Sequence, residues 1–164
     1  MKNQDTNLGC RVILFPEPFF GHLTPMLHLG NALCSKGCSI TIIQTRFNAP
    51  DPAQFPNFTF HYIQDALSQS ESPPSDAWEM IQSVNTSCLD PFRAALTRVL
   101  KDASSTKEPI GCLITDPMWG FAGSVADEFN LPKMALRPGG LLAFLVYESL
   151  PFLREKGYFS CQGT

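Results

Sequence analysis

Residues 11–25 read RVILFPEPFFGHLTP and contain the pattern of a strand, a turn and the start of a helix. The run Val12–Phe15 is apolar, which is typical of a strand buried on both faces of a parallel sheet. Two prolines then end the strand, because proline has no N–H to donate to a neighbouring strand. Gly21 allows a tight turn, and a helical pattern begins at about His22. His22 is therefore expected just past the carboxyl end of a first strand, where open α/β sheets bind their ligands.

Strands and helices alternate along the rest of the chain. The apolar periodicity after His22 predicts a helix to about Cys34, and residues 64–75 predict an exposed, mobile loop. Further strands are predicted at residues 39–45, 58–63, 110–115 and 132–136, and further helices at 76–90, 91–100, 119–129 and 141–150. This alternation predicts an α/β fold with a Rossmann-like, doubly wound parallel sheet. Right-handed crossovers then favour the strand order 3-2-1-4-5.

In that order strands one and four are neighbours, so His22 and Asp116 should meet in one crevice. A carboxylate on one nitrogen of an imidazole makes the other nitrogen a general base, worth ~10²–10⁴ in rate. No GxSxG motif is present, and no Ser or Cys adjoins His22, so the substrate should supply the nucleophile. A different interpretation stays open, because a histidine at a helix start can be solvated and an Asp-Pro pair can simply form a turn.

Charge and cysteine content exclude several other functions. The net charge of −3 and the pI near 5.5 give no basic footprint for nucleic acid. No apolar run reaches the ~18 residues of a membrane span, and no signal-peptide core is present, so a cytoplasmic location is expected. The 6 cysteines form no CxxC pair and are interpreted as free thiols. Neither His28 nor His61 has the spacing of a zinc site, and no metal is expected.

Three stretches resemble one known family: VILFPEPFFGHLTPMLHLGNAL (12–33), CLITDPMWGFAGSVADEFNLPKMALR (112–137) and LPFLREKGYFSCQG (150–163). They are similar to plant family 1 UDP-glycosyltransferases that act on small terpenoid, hormone and phenolic acceptors in secondary metabolism. The resemblance implies one half of a GT-B fold, which consists of two facing Rossmann-like domains. It also implies an inverting displacement in which His22 deprotonates the acceptor hydroxyl, Asp116 orients His22, and UDP leaves the sugar, expected to be glucose. No cofactor is expected, since the UDP-sugar is a co-substrate.

The same resemblance suggests which residues surround the substrates. The side chains expected near strand ends as walls of a pocket for a small apolar acceptor are Phe19, Phe20, Trp78, Met80, Met118, Trp119 and Leu141. Packing in the core is an equally good interpretation of each of them. On the donor side lie Gly21, Pro138 and Gly139. Pro138 weakens that side, because it offers neither a hydroxyl nor an N–H where many relatives have Thr or Ser.

Residues 1–150 are interpreted as the acceptor-binding domain and residues 151–164 as the start of an inter-domain connector. The family's HCGWNS-like donor signature is absent, so a UDP-sugar is expected as a partner only with a second domain. The isolated chain is therefore expected to be inactive. An alternative is a truncated, non-catalytic binder of small molecules, or a partner of a full-length glycosyltransferase. An NAD-dependent oxidoreductase is disfavoured, since no GxGxxG follows strand one and Arg46, not an acid, follows strand two.

Overall fold

A five-stranded sheet forms the centre of the computed structural model, which describes residues 9–72, 74 and 76–158 and, at positions 77, 141, 143 and 147, the backbone alone. Its strands are β1 (Arg11–Phe15), β2 (Ser39–Thr45), β3 (Phe58–Ile63), β4 (Ile110–Thr115) and β5 (Lys133–Ala135). All four strand pairs are parallel, and the order is β3-β2-β1-β4-β5. The predicted α/β class and strand order are both confirmed.

Helices cover both faces of this sheet. The helices of the described residues are α1 (Phe20–Cys34), α2 (Ala66–Gln69), α3 (Ala77–Thr106), α4 (Ala122–Glu128) and α5 (Leu141–Glu155), with a short 3-10 helix at Pro52–Gln54. Helix α1 packs on one face of the sheet, and α2, α3 and α4 pack on the other. Alternate residues of the central strand β1 point to opposite faces. Ile13 and Phe15 join a core with buried residues of α3 and α4, whereas Val12 and Leu14 join one with buried residues of α1. The apolar runs in the strands are therefore explained by burial on both faces.

Helix α1 begins at Phe20, earlier than the predicted start at about His22. Its inner face buries Leu23, Met26 and Leu27 against the sheet. Gly30 lies on the same face, and a Cβ added there would be 3.0 Å from both Leu14 Cδ1 and Phe58 Cζ. The absence of a side chain at Gly30 therefore allows α1 to approach the sheet closely.

The loop predicted over residues 64–75 is wrong in part, because it contains helix α2. The carboxylate of Asp65 caps this short helix by accepting a hydrogen bond from the N–H of Ser68 at 2.7 Å. Leu67 is buried in the core formed with α3. A single well-placed apolar side chain and a buried cap thus order a segment whose composition is typical of a loop.

Helix α3 differs from two predictions: it does not restart at Asp90-Pro91, where the sequence indicated a restart or a kink, and the connector predicted over residues 101–109 is helical as far as Thr106. Helix α3 runs without interruption to Thr106, and Lys107 ends it in the left-handed conformation with φ 58°. One apolar stripe of the helix continues past the proline and packs against the sheet. It comprises Val84, Cys88, Phe92, Ala95, Leu96, Val99 and Ala103. Packing of this stripe outweighs the one backbone hydrogen bond that Pro91 cannot donate.

The C-terminal elements differ from their predictions mainly in length. Helix α4 is shorter than the predicted 119–129, because residues 117–121 form turns, and β5 covers only Lys133–Ala135 of the predicted 132–136. Helix α5 continues to Glu155, past the expected end near Leu150. Residues 159–164 of the predicted connector lie outside the described residues. Within the described part of the chain, no helix combines the length and hydrophobicity needed to span a bilayer.

Candidate active site

His22 lies in the first turn of α1, directly beyond the end of β1. Phe19 precedes the helix in an extended conformation, and its carbonyl oxygen accepts hydrogen bonds from the N–H groups of His22 and Leu23, both at 2.8 Å. No side chain caps this end of the helix. The chain thus passes from strand to helix within a few residues and places the imidazole, which is 34% exposed, at the carboxyl edge of the sheet.

Asp116 follows β4 directly, and its side chain is only 1% exposed. Its backbone N–H donates to the carbonyl oxygen of Phe15 at 3.1 Å, which continues the pairing of β4 with β1. One carboxylate oxygen, Oδ1, accepts a hydrogen bond from the N–H of Met118 at 2.9 Å. The turn after β4 therefore holds the carboxylate in a single orientation.

The other oxygen, Oδ2 of Asp116, lies 2.7 Å from Nδ1 of His22. A carboxylate can only accept hydrogen bonds, so Nδ1 carries the proton and a neutral imidazole has its lone pair at Nε2. This confirms the predicted meeting of the two residues. The arrangement can accept a proton at Nε2 and stabilise the resulting imidazolium through the buried carboxylate.

Sequence reasoning missed Glu17, which is buried next to this pair. The residue is 0% exposed, and neither of its carboxyl oxygens has a hydrogen-bond partner among the described residues. Burial first, and then the charge of Asp116, raises the pKa of Glu17 to about 8. The signal in the sequence was an acid between two prolines directly after a buried strand.

Asn85 on α3 was also missed, and it holds the turn that follows Asp116. Its Nδ2 donates to the carbonyl oxygen of Met118 at 3.0 Å, and its Oδ1 accepts from the N–H of Gly120 at 2.9 Å. Nδ2 also donates to the carbonyl oxygen of Ile81 within the helix at 3.0 Å. No sequence pattern pointed to this role, because the bonds to Met118 and Gly120 join segments that are distant in the chain.

The residues expected to form the acceptor pocket have different surroundings. Phe20 and Trp78 are 73% and 61% exposed, whereas Phe19, Met80 and Met118 are half-buried. The side chain of Leu141 lies outside the described residues. On the donor side, Gly21 and Gly139 are exposed and Pro138 is half-buried.

For Trp119 the structure favours the core interpretation of the two that the sequence left open. Its side chain is 3% exposed, and its indole stacks on the ring of Phe15 with centroids 4.3 Å apart. The turn after Asp116 directs this side chain back into the core between the sheet and α3, where it also contacts Phe121. Trp119 is therefore a core residue and not a wall of an open pocket.

A separate cleft of about 600 Å³ lies along α1, between that helix and residues 48–55. Its lining includes Phe20 and His28 but neither His22 nor Asp116, so this cleft is distinct from the pair. His61 lies in β3, where burial lowers its pKa. Within the described residues, no group of three or more His, Cys, Asp or Glu side chains could hold a metal ion.

Comparison with known proteins identifies relatives, although no family model matches the sequence. The chain is 40% identical over 153 residues to UDP-glycosyltransferase 76B1 of Arabidopsis thaliana, covering 93% of this chain and 33% of that protein. It is 44% identical over 154 residues to UDP-glycosyltransferase 76G1 of Stevia rebaudiana, covering 90% and 33%. The chain thus spans about a third of the length of these relatives.

The fold is shared with a solved structure, that of Phytolacca americana UGT2 complexed with UDP-2fluoro-glucose and pterostilbene. The TM-score is 0.73 at 21% identity, over 94% of this chain and 36% of the other. The parallel five-stranded sheet is thus the sheet of the predicted glycosyltransferase fold. The fold is therefore shared with that structure, and by its sequence this chain belongs to the plant UDP-glycosyltransferases and corresponds to about a third of such a protein.

Proposed function

We propose that this chain forms the acceptor-binding part of a glycosyltransferase. The enzyme would transfer a sugar, expected to be glucose, from a UDP-sugar to a hydroxyl group of a small apolar metabolite of plant secondary metabolism. The observation that carries the proposal is the 2.7 Å hydrogen bond between His22 Nδ1 and Asp116 Oδ2. The names of the relatives support the reaction class, and the ligands of the Phytolacca protein support a UDP-glucose-like donor and a small aromatic acceptor.

In this proposal Nε2 of His22 takes the proton from the acceptor hydroxyl. The acceptor oxygen then attacks the anomeric carbon, a new C–O bond forms, and the bond from that carbon to the UDP oxygen breaks. UDP leaves with the electron pair, and the configuration at the anomeric carbon is inverted. Asp116 keeps the Nε2 lone pair available and stabilises the imidazolium, as the carboxylate of a hydrolytic triad does.

The acceptor would lie beside the exposed and half-buried apolar side chains that the resemblance assigns to its pocket. Phe19, Phe20, Trp78 and Met80 offer apolar surface, and Met118 follows Asp116 directly. Such side chains suit an acceptor that is mostly hydrocarbon or aromatic, with one hydroxyl group directed at the imidazole. Leu141 remains part of this proposal through its place at the start of α5.

The donor would contact this chain only lightly, at Gly21, Pro138 and Gly139. Most of the binding of the UDP group is assigned to a second domain, so transfer by the 164-residue chain alone is not expected. The proposed mechanism uses His22 as its base and therefore calls for neither a metal ion nor another cofactor. The cytoplasmic location stays a prediction from the sequence.

A chimera tests the function directly. The chain replaces the matching third of UDP-glycosyltransferase 76B1, and transfer of labelled glucose from UDP-glucose to a panel of small hydroxyl compounds is measured. The chimera should be active, and His22→Ala should lower kcat/KM by about 10²–10⁴-fold because the general base is lost. The matched control is His28→Ala, an exposed histidine on the same helix, which should stay within about twofold of the parent.

Two outcomes would contradict the proposal. An active chimera in which His22→Ala and His28→Ala behave alike would show that His22 is not the base. A chimera that folds and binds acceptors but transfers no sugar to any of them would favour the non-catalytic binder instead. Acceptor binding is followed separately by quenching of tryptophan fluorescence, so that binding and transfer are distinguished.

A further inference from the structure

Glu17 is a buried carboxyl group that the proposed reaction does not use. It stands between Pro16 and Pro18, directly after β1, and is 0% exposed. The two prolines have no N–H groups, so the adjacent backbone cannot donate to an ionised carboxylate there. Neither Oε1 nor Oε2 has a hydrogen-bond partner among the described residues. A buried carboxylate without such bonds is costly, and the group avoids this cost by keeping its proton.

Gln44, which lies near Glu17, also favours a protonated Glu17. Gln44 of β2 is buried, and both its Oε1 and its Nε2 also lack partners among the described residues. Both residues line one narrow gap, which is too small to hold a water molecule. A protonated carboxyl group and a carboxamide each offer a donor and an acceptor, so they complement one another, whereas an ionised carboxylate has acceptors only.

Asp116 supplies the second reason for a proton on Glu17. Glu17 lies two residues beyond Phe15, whose carbonyl oxygen accepts a hydrogen bond from the N–H of Asp116 at 3.1 Å. Two neighbouring carboxyl groups do not both ionise readily, and the one with more hydrogen bonds becomes the anion. Asp116 accepts bonds from His22 Nδ1 and from the N–H of Met118, whereas Glu17 accepts none among the described residues. Asp116 is therefore the anion, and Glu17 is the group that keeps its proton. Burial and the charge of Asp116 raise the pKa of Glu17 to about 8.

We propose that Glu17 is a positioning residue for the His22–Asp116 pair, holding a proton at neutral pH so that Asp116 presents a single negative charge to the imidazole. The role for catalysis rests on the proposed function of His22 as the base. When Glu17 loses its proton to solvent, a second negative charge appears beside the pair and favours the imidazolium form of His22. That form cannot accept the proton of an acceptor hydroxyl, so a neutral Glu17 keeps the base available.

Few other groups can titrate around Glu17. From α3 the thiol of Cys88 interacts with it, and burial, the largest cause, raises the pKa of that thiol to about 12, so the thiol stays neutral. Asp116, at the end of β4, acts on Glu17 through its charge. His22, on α1, is hydrogen-bonded to Asp116 and affects Glu17 through it. From β2 comes Gln44, which is uncharged. Within the described residues, the ionisation of Glu17 is therefore the event expected near pH 8.

The full chain with ¹³C-labelled glutamate and ¹⁵N-labelled histidine tests this by NMR from pH 5 to pH 10. The side-chain carboxyl signal of Glu17, assigned by through-bond correlation to its own backbone amide, should titrate with a midpoint of about 8. The imidazole ¹⁵N signals of His22 should show a step at the same pH. Glu17→Gln, which keeps the shape and stays neutral, should abolish that step. The matched control Glu148→Gln, an exposed residue of α5, should retain it.

Two results would overturn the inference: a Glu17 midpoint below pH 6, or a step near pH 8 in His22 that survives in Glu17→Gln. The wild-type carboxyl titration decides the first point even if the variant does not fold. None of these signals depends on sugar transfer. An inactive chimera with the pH 8 step intact would count against the proposed function alone, and an active chimera without the step would count against Glu17 alone.

Discussion

Oδ2 of Asp116 lies 2.7 Å from Nδ1 of His22, although the two residues are 94 positions apart. They meet because β1 pairs with β4, and each residue follows shortly after its strand. Phe15 and Thr115 are the last paired residues of those strands. The geometry of the pair is therefore a consequence of strand order, and substitutions that leave β1 beside β4 should leave the pair in place.

Asp116→Asn should lower sugar transfer by the chimera about 10²–10⁴-fold while the fold is retained. An asparagine amide can donate its N–H to Nδ1 of His22, which moves the imidazole proton to Nε2 and removes the lone pair that accepts the acceptor proton. The measurement is kcat/KM at pH 7, with circular dichroism to verify folding. Asp76→Asn is the control, because asparagine caps a helix as well as aspartate and Asp76 caps α3. Equal kinetics of the two variants would refute the role assigned to Asp116.

The sheet and the pair could be predicted from the sequence for physical reasons. Residues 39–45 and 110–115 are apolar, β-branched runs, and the observed strands have these bounds. Prolines or an Asp-Pro pair mark where β1 and β4 end, so the positions of His22 and Asp116 relative to the strands followed directly. The crossover rule then brought the two residues to one edge of the sheet.

What the sequence did not reveal depends on contacts between distant segments. The continuity of α3 through Pro91 comes from its packing on the sheet, which local propensity does not include. Asn85 reads as an ordinary helix residue until the turn after Asp116 is placed beside it. Glu17 reads as a loop acid, and its raised pKa depends on its burial and on the charge of Asp116, neither of which the local sequence shows.

Asp65→Ala should destabilise the chain by about 2–3 kcal/mol in urea unfolding. Asp65 is buried, and its carboxylate accepts bonds from the N–H of Arg46 at 3.0 Å, the N–H of Ser68 at 2.7 Å and the hydroxyl of Ser68 at 2.8 Å. Alanine would remove the acceptor of both N–H groups, so α2 would lose its cap, although the hydroxyl of Ser68 would keep its bond to the carbonyl oxygen of residue 65. Asp51→Ala removes an exposed cap that accepts one bond, from the N–H of Ala53, and should cost about 1 kcal/mol or less. Equal costs would show that burial adds nothing to the Asp65 bonds.

Protonation of Glu17 should also make stability depend on pH. Its pKa in the folded chain is about 8, against an ordinary value of 4.5, so the folded state keeps a proton that the unfolded state loses. The stability that Glu17 contributes is therefore fully present below about pH 4.5. As the pH rises to about 8 this contribution is lost, and the free energy of unfolding falls by at most about 5 kcal/mol. Urea unfolding at pH 5, 6.5 and 8 should show Glu17→Gln gaining stability relative to wild type with each step. Glu148→Gln should follow the wild type throughout, and a constant difference between Glu17→Gln and wild type would contradict the raised pKa.

Asn85→Ala should loosen the turn that holds Asp116 and so disturb His22 from a distance. The variant loses the bond from Nδ2 to the carbonyl oxygen of Met118 and the bond from the N–H of Gly120 to Oδ1, at a cost of about 1–3 kcal/mol in urea unfolding. Met118, whose carbonyl oxygen Asn85 holds, also donates its N–H to Oδ1 of Asp116. A looser turn should therefore move Asp116, and the imidazole ¹⁵N signals of His22 should shift or broaden at pH 7. Thr86→Ala, at the exposed neighbouring position, should change the stability by no more than about 0.5 kcal/mol and leave the His22 signals unchanged. Loss of stability in Asn85→Ala with wild-type His22 signals would show that the turn supports the fold and not the orientation of the pair.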